Sequence, residues 1–275
     1  MKLVSSSAAI VTVGLLAAPA FGDFVPGQSI ADPALPGVTS FDGWMPVWNE
    51  DNNAFTSTLS ATYNPGYPNF FSSSSPWPGP IASKQGSDGH DAQLSKTANG
   101  ATGGPFPSGE SLYFASFDNV PNGLGGSVAV SDDTPVANLA NVVLQFEIGE
   151  ASGRDLWDGD NSGEGDLPVL SYNGGTLQLQ PTITTLVAKV QNGTFTPPDT
   201  GVEAPLYANT YLFQWDLSGI AEPITSFSIE FSAVEHAQVY AMRLDQSDTY
   251  TPIPEPTMLS AAAGALLLLG RRRRA

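Results

Sequence analysis

The sequence predicts an all-β protein, an antiparallel β-sandwich with the jelly roll as one form open to it, framed by an N-terminal signal helix and a short C-terminal transmembrane helix. Three observations carry that reading. The 275 residues include 28 Gly and 23 Pro but only 13% charged residues, the composition of short strands joined by many turns. Several stretches alternate apolar and polar side chains with period two, the repeat of a half-buried strand. Outside the two ends, no stretch of useful length places apolar residues at helical spacing.

The alternating stretches follow one another along residues 23–253. Weaker ones cover 55–63, 111–117, 126–130, 176–180, 183–190 and 239–244. The clear ones set Val142, Leu144, Phe146 and Ile148 against Asn141, Val143, Gln145 and Glu147, then Tyr211, Phe213, Trp215 and Leu217 against Leu212, Gln214 and Asp216. Phe227, Ile229, Phe231 and Ala233 alternate with Ser226, Ser228, Glu230 and Ser232. That makes about nine strands. Turn signals separate them at Asn122-Gly123, Asn173-Gly174-Gly175, Asn192-Gly193 and Asp199-Thr200-Gly201. Residues 224–248 are expected to form the closing hairpin, and 249–254 a short spacer. Residues 63–80 mix Pro, Ser and aromatics without period and predict a long surface loop. Its Tyr67 and Trp77, with Phe70 and Phe71, are candidates for stacking on sugar rings or on another copy of the protein.

The ends carry sorting information. Met1-Lys2 is followed by an apolar run over 8–18, Pro19, and the small residues Ala20 and Gly22 flanking Phe21. This is the pattern of a signal peptide over 1–22, read by signal peptidase, with cleavage expected after Gly22 and next after Ala20. At the other end Pro254, Glu255 and Pro256 precede an Ala/Leu-rich run over 258–269, closed by Arg271, Arg272, Arg273 and Arg274. About 13 apolar residues give roughly 20 Å of helix, short of the roughly 30 Å hydrocarbon core, so the arginines must snorkel. Four arginines left on the cytoplasmic side orient the folded domain outward. The ordered motif, greasy segment and basic stop of 254–275 resemble the PEP-CTERM sorting signal of Gram-negative bacteria. That resemblance implies an exosortase as processing partner, a transient hold at the inner membrane, and a destination at the cell surface or in the extracellular matrix.

Charge and cysteine content exclude whole classes of function. Between Asp23 and Pro254 five basic residues (Lys84, Lys96, Arg154, Lys189, Arg243) face 26 acidic ones, a net charge of −21. Nucleic acid and anionic lipid are thus poor partners for the domain. There are no cysteines, which removes disulfides and thiol chemistry. In the acidic stretch 154–166, Asp158, Asp160 and Ser162 stand at alternate positions before Gly163, with Glu164 and Asp166 following. Hard oxygens at that spacing open a calcium loop, but its twelfth position, where a bidentate Glu closes the site, is Val169. Calcium is therefore a candidate ligand with an incomplete motif.

Catalytic motifs are sparse. Two histidines, His90 and His236, cannot build a three-histidine metal site, and no Gly-x-Ser-x-Gly elbow occurs. Glycoside hydrolysis needs only two carboxylates, and Glu147 and Glu230 fall on the polar faces of their strands. The expectation is an exported, non-catalytic surface or matrix protein of structural or adhesive type. A carbohydrate-binding module with a structural calcium is the second reading, and a polysaccharide hydrolase or lyase the third.

Overall fold

A computed structural model describes residues 24–49, 54–56, 79–87, 91–100, 103–107, 111–114, 123–159, 165–196 and 201–254. The described chain is all-β and antiparallel. Its long strands are β1 (Thr39–Trp44), β6 (Gln93–Asn99), β9 (Leu124–Asp132), β10 (Asn141–Gly149), β12 (Ile183–Phe195), β13 (Ala204–Asp216), β14 (Phe227–Val234) and β15 (Gln238–Ser247). Shorter pieces are β2 (Val47–Asn49), β3 (Ala54–Thr56), β4 (Ile81–Ala82), β5 (Gln85–Gly86), β7 (Phe106–Pro107), β8 (Leu112–Tyr113) and β11 (Val169–Tyr172). The larger sheet runs β12-β13-β10-β15-β1-β5, with β8 on β15 and β7 on β8; the smaller runs β11-β14-β9-β6-β4. Strands β2 and β3 pair with each other.

The two sheets share one core in a sandwich-like arrangement. The predicted inward residues meet there: Val142, Leu144, Phe146 and Ile148 of β10, Phe213 and Trp215 of β13, and Phe227, Ile229, Phe231 and Ala233 of β14 are all buried in one cluster. Phe146 stacks on Phe231 across the sheets with ring centroids 4.7 Å apart, and lies 5.3 Å from Phe213. Trp215 and Trp44 are buried and donate their indole N–H to the carbonyls of Leu179 (3.0 Å) and Ile81 (3.1 Å), which satisfies the one polar atom each brings inside.

The chain changes sheet at most of its connections: β9 to β10, β10 to β11, β11 to β12, β13 to β14 and β14 to β15 all cross. The expected closing hairpin over 224–248 is therefore corrected. Strands β14 and β15 lie in different sheets, because His236 takes φ 69° and Ala237 N–H donates to Val234 carbonyl at 3.2 Å, turning a corner instead of a hairpin. Two further expectations change. Asn192-Gly193 is no turn but the site of a register shift within β12, where Gly193 at φ 125° absorbs the irregularity. Residues 176–180 form no strand; only Leu179 bridges, to Leu170. The Asn173-Gly174 turn is as read, both residues having positive φ.

Strand β10 is buried on both faces rather than one. Its outer face is covered by the chain before β1: Gln145 Nε2 donates to Ala31 carbonyl at 2.7 Å, and Gly27 N–H donates to Glu147 Oε1 at 2.7 Å. The predicted spacer over 249–254 is likewise fastened to this sheet, since Gln214 donates to Thr251 carbonyl (2.8 Å) and accepts from Ile253 N–H (2.9 Å). Polar residues that looked solvated from their alternation are instead the anchors for the segments flanking the sheet.

Candidate functional site

Where β12 and β13 run past the aromatic core, the chain leaving β10 crosses toward β14 and a polar cleft opens between them. Residues 155–157 dock on the β14 edge: Val234 N–H donates to Asp155 carbonyl (2.9 Å), Trp157 N–H to Ser232 carbonyl (3.1 Å), and Leu156 bridges Ala233. The register of β12 on β13 sets Leu186 beside Tyr211 and Lys189 beside Asn209. Together with Glu150, Arg154, Asp155, Asp158 and Gly165 these side chains line a cleft of about 290 Å³. That is the lower end of the range for small-ligand pockets, and it suits one compact polar ligand or one unit of a polymer.

The hydrogen bonding inside is asymmetric. Asp155 Oδ2 accepts from Asn209 Nδ2 (2.8 Å) and from the Tyr211 hydroxyl (2.9 Å), while its Oδ1 accepts from Leu156 N–H (2.6 Å). Glu150 Oε1 accepts from Lys189 Nζ (2.7 Å) and from Asn209 Nδ2 (3.0 Å). Two carboxylates thus fix the Asn209 amide, because turning it over would aim its oxygen at both. Its Oδ1 is left buried with no hydrogen-bond partner, on a residue only 4% exposed. Burial and the neighbouring Asp155 push the Tyr211 phenol far above its ordinary value, so it stays a hydrogen-bond donor. The cleft lining therefore carries carboxylates at Glu150, Asp155 and Asp158, cations at Lys189 and Arg154, and the Asn209 amide that two of the carboxylates hold.

Sequence-predicted residues fall as follows. Asp158 is buried and lines the cleft, while Asp166 is exposed and accepts from Gly159 N–H at 3.3 Å. Asp160, Ser162 and Glu164 lie outside the described residues, as do Tyr67, Trp77, Ala20, Gly22, Glu255, Pro256 and Arg271 to Arg274. Pro254 is exposed just beyond the pinned Ile253. Among the described residues no helix is long and apolar enough to cross a membrane. Among the described residues, Asp42, Asp91 and Asp132 bring their carboxylates within ion-binding reach of one another.

The Glu147 and Glu230 pair does not form a hydrolytic site. Glu147 sits on the outer face of the larger sheet under Gly27, and Glu230 is exposed on the outer face of the smaller sheet, accepting from Thr97 Oγ1 at 2.7 Å. The whole core separates them. Burial pushes the Glu147 carboxyl up to about 7, against which the Gly27 and Ser29 N–H groups and the Thr210 hydroxyl pull down. Asn209, Tyr211 and Lys189 were not singled out from sequence; the only hint was that Lys189 is one of five cations in an acidic domain. Comparison of the chain with protein-family models, curated proteins and solved structures yields no match.

Proposed function

We propose that this chain is an exported, non-catalytic β-sandwich of jelly-roll type that works at the cell surface or in the extracellular matrix, and that it adheres there by holding a saccharide in the Asn209 cleft. The signal-peptide pattern and the PEP-CTERM-like tail support the location. The connections that alternate between sheets support the jelly roll. One observation carries the ligand class: a cleft of about 290 Å³ is lined by the carboxylates of Glu150, Asp155 and Asp158, the cations of Arg154 and Lys189, and the Asn209 amide and Tyr211 ring, a dense set of polar groups of the kind that pairs with sugar hydroxyls. A polyol's hydroxyls donate to the lining carboxylates, and its oxygens accept from Arg154 and Lys189.

The test is affinity electrophoresis of the purified protein through gels containing a panel of acidic and neutral polysaccharides, run beside an assay for new reducing or unsaturated sugar ends. Saturable retardation by at least one polymer is expected, weakened about tenfold by Lys189→Ala and by Arg154→Ala with unchanged melting temperature, and without new ends. Absence of retardation across the panel overturns the saccharide reading. New sugar ends overturn the non-catalytic one.

A further inference from the structure

We propose that Asp42, Asp91 and Asp132 form a divalent-cation site, suited to calcium, that ties the two sheets together. Asp42 belongs to β1 of the larger sheet, Asp132 ends β9 of the smaller, and Asp91 stands just ahead of β6. One carboxylate oxygen from each lies within 4.8 Å of the others, and Asp42 and Asp132 are fully buried. Calcium at roughly 2.3–2.6 Å from each oxygen spans separations up to about 5 Å, so one ion reaches all three carboxylates.

The surrounding groups hold the carboxylates in place. Ser83 Oγ donates to Asp42 Oδ1 at 2.5 Å, and Thr134 N–H donates to Asp132 Oδ1 at 2.7 Å. Gln246 Nε2 donates to Asp132 Oδ2 and Thr134 Oγ1 to Asp91 Oδ2. A separate observation points to a ligand. Asp91 Oδ1 is buried and makes no hydrogen bond, and neither does Ser40 Oγ, on a residue 6% exposed. Ser40 precedes Asp42 by two residues, so it shares that face of β1, and its register partner is Gln246, the residue that holds Asp132. One further hard oxygen, Ser40 Oγ, therefore stands beside three carboxylates of which Asp91 also keeps an unpartnered buried oxygen, and the species that satisfies oxygens of that kind together is a hard cation. The site differs from the acidic loop in place and in ligands, and it does not depend on the saccharide reading.

The test uses the full chain stripped with chelator and then titrated with calcium alone, by calorimetry and by counting bound metal. One calcium per chain is expected, with a melting temperature that rises with calcium, and Asp91→Asn weakens binding tenfold or more. Terbium locates the ion. Trp44 lies two residues beyond Asp42 on the same strand face, about 7 Å along it, whereas Trp157 adjoins the acidic loop. Terbium emission excited through tryptophan is expected to fall in Trp44→Phe and to persist in Trp157→Phe. No stoichiometric calcium at millimolar concentration overturns the site, as does binding unchanged in Asp91→Asn. Emission lost in Trp157→Phe instead places the ion in the acidic loop and also overturns it.

Discussion

Glu147 shows how one residue can be misplaced by its own sequence pattern. Alternation along β10 puts it on the face opposite Phe146, which predicts a solvated carboxylate, yet the residue is 1% exposed because the chain around Gly27 lies over it. Gly27 has φ 77°, and a Cβ there would fall 2.9 Å from Pro46 Cδ, so only glycine brings its N–H down to the carboxylate. The consequence is a pH dependence of stability. The carboxyl ordinarily titrates near 4.5 and in the fold near 7, so folding favours its protonated form. Its contribution is complete below pH 4.5 and is lost as pH rises through about 7. Glutamine imitates the protonated acid. Glu147→Gln is therefore expected to match the parent at pH 4.5 and to be the more stable protein at pH 8, by up to about 3 kcal/mol. Asp245, raised to about 6 by burial against the pull of Arg243, tilts stability the same way but is common to both proteins and cancels in the comparison. A stability difference between the two that does not change with pH would show that Glu147 is held by packing alone. The Asn209 amide was beyond sequence reading for a similar reason, since its place comes from Glu150 and Asp155, which the fold brings to it from just past β10 and from the crossover.

At the scale of elements, the connections decide what the strands become. Asn173 at φ 52° closes the turn after β11 and also reaches the start of β14, donating to Pro223 carbonyl (2.9 Å) and accepting from Thr225 N–H (2.8 Å). Asn173→Ala removes these two bonds and a third, from Thr225 Oγ1 (3.1 Å), and places alanine in the left-handed region, a loss expected at about 2 kcal/mol; Asn173→Gly relieves the backbone and recovers about half of it. Equal losses from both substitutions, measured by urea unfolding, would assign the effect to the hydrogen bonds alone. The strands with strong alternation, β10, β13 and β14, were legible because each buries a continuous aromatic or aliphatic row. Strand β1 (Thr-Ser-Phe-Asp-Gly-Trp) was not, since its inward row mixes Ser40 and Asp42 with Trp44. Strand β6 was hidden because half of it is exposed. Nothing in Glu235-His236-Ala237 distinguishes a hairpin turn from a corner between sheets. That choice rests on which sheet edge β15 finds, and it is paired on both sides, with β10 and β1. The cleft was half legible: Asp158 was marked by its acidic neighbours, whereas Lys189 and Asn209 meet only through the β12–β13 register.

Taken whole, the molecule sets a strongly acidic charge against a core assembled from distant segments. The formal net charge is −17, and the sheet-crossing connections mean that most pairings are between residues far apart in sequence. Like charges on a compact body repel, while the unfolded chain spreads them out, so the fold carries a repulsive cost that salt reduces. The screening length shortens from about 30 Å at 0.01 M to about 8 Å at 0.15 M, from the span of the domain to that of neighbouring side chains. Raising sodium chloride over that interval is expected to stabilise the protein by about 1 kcal/mol, a rise in melting temperature of about 2–4 °C for a domain of this size. Potassium chloride should act equally, because screening does not depend on the cation's identity. Calcium chloride at matched ionic strength should add a further rise that saturates with concentration, since occupancy of the Asp42, Asp91 and Asp132 site adds a binding free energy to the native state that screening does not supply. Asp91→Asn should lose that extra rise and keep the sodium chloride effect. If sodium chloride leaves the melting temperature unchanged, repulsion is already dispersed by the pairing of Lys189 and Arg243 with their carboxylates and by the spacing of the remaining acids. If calcium and sodium chloride act alike at equal ionic strength, the buried carboxylates are held by their hydrogen-bond donors and not by an ion.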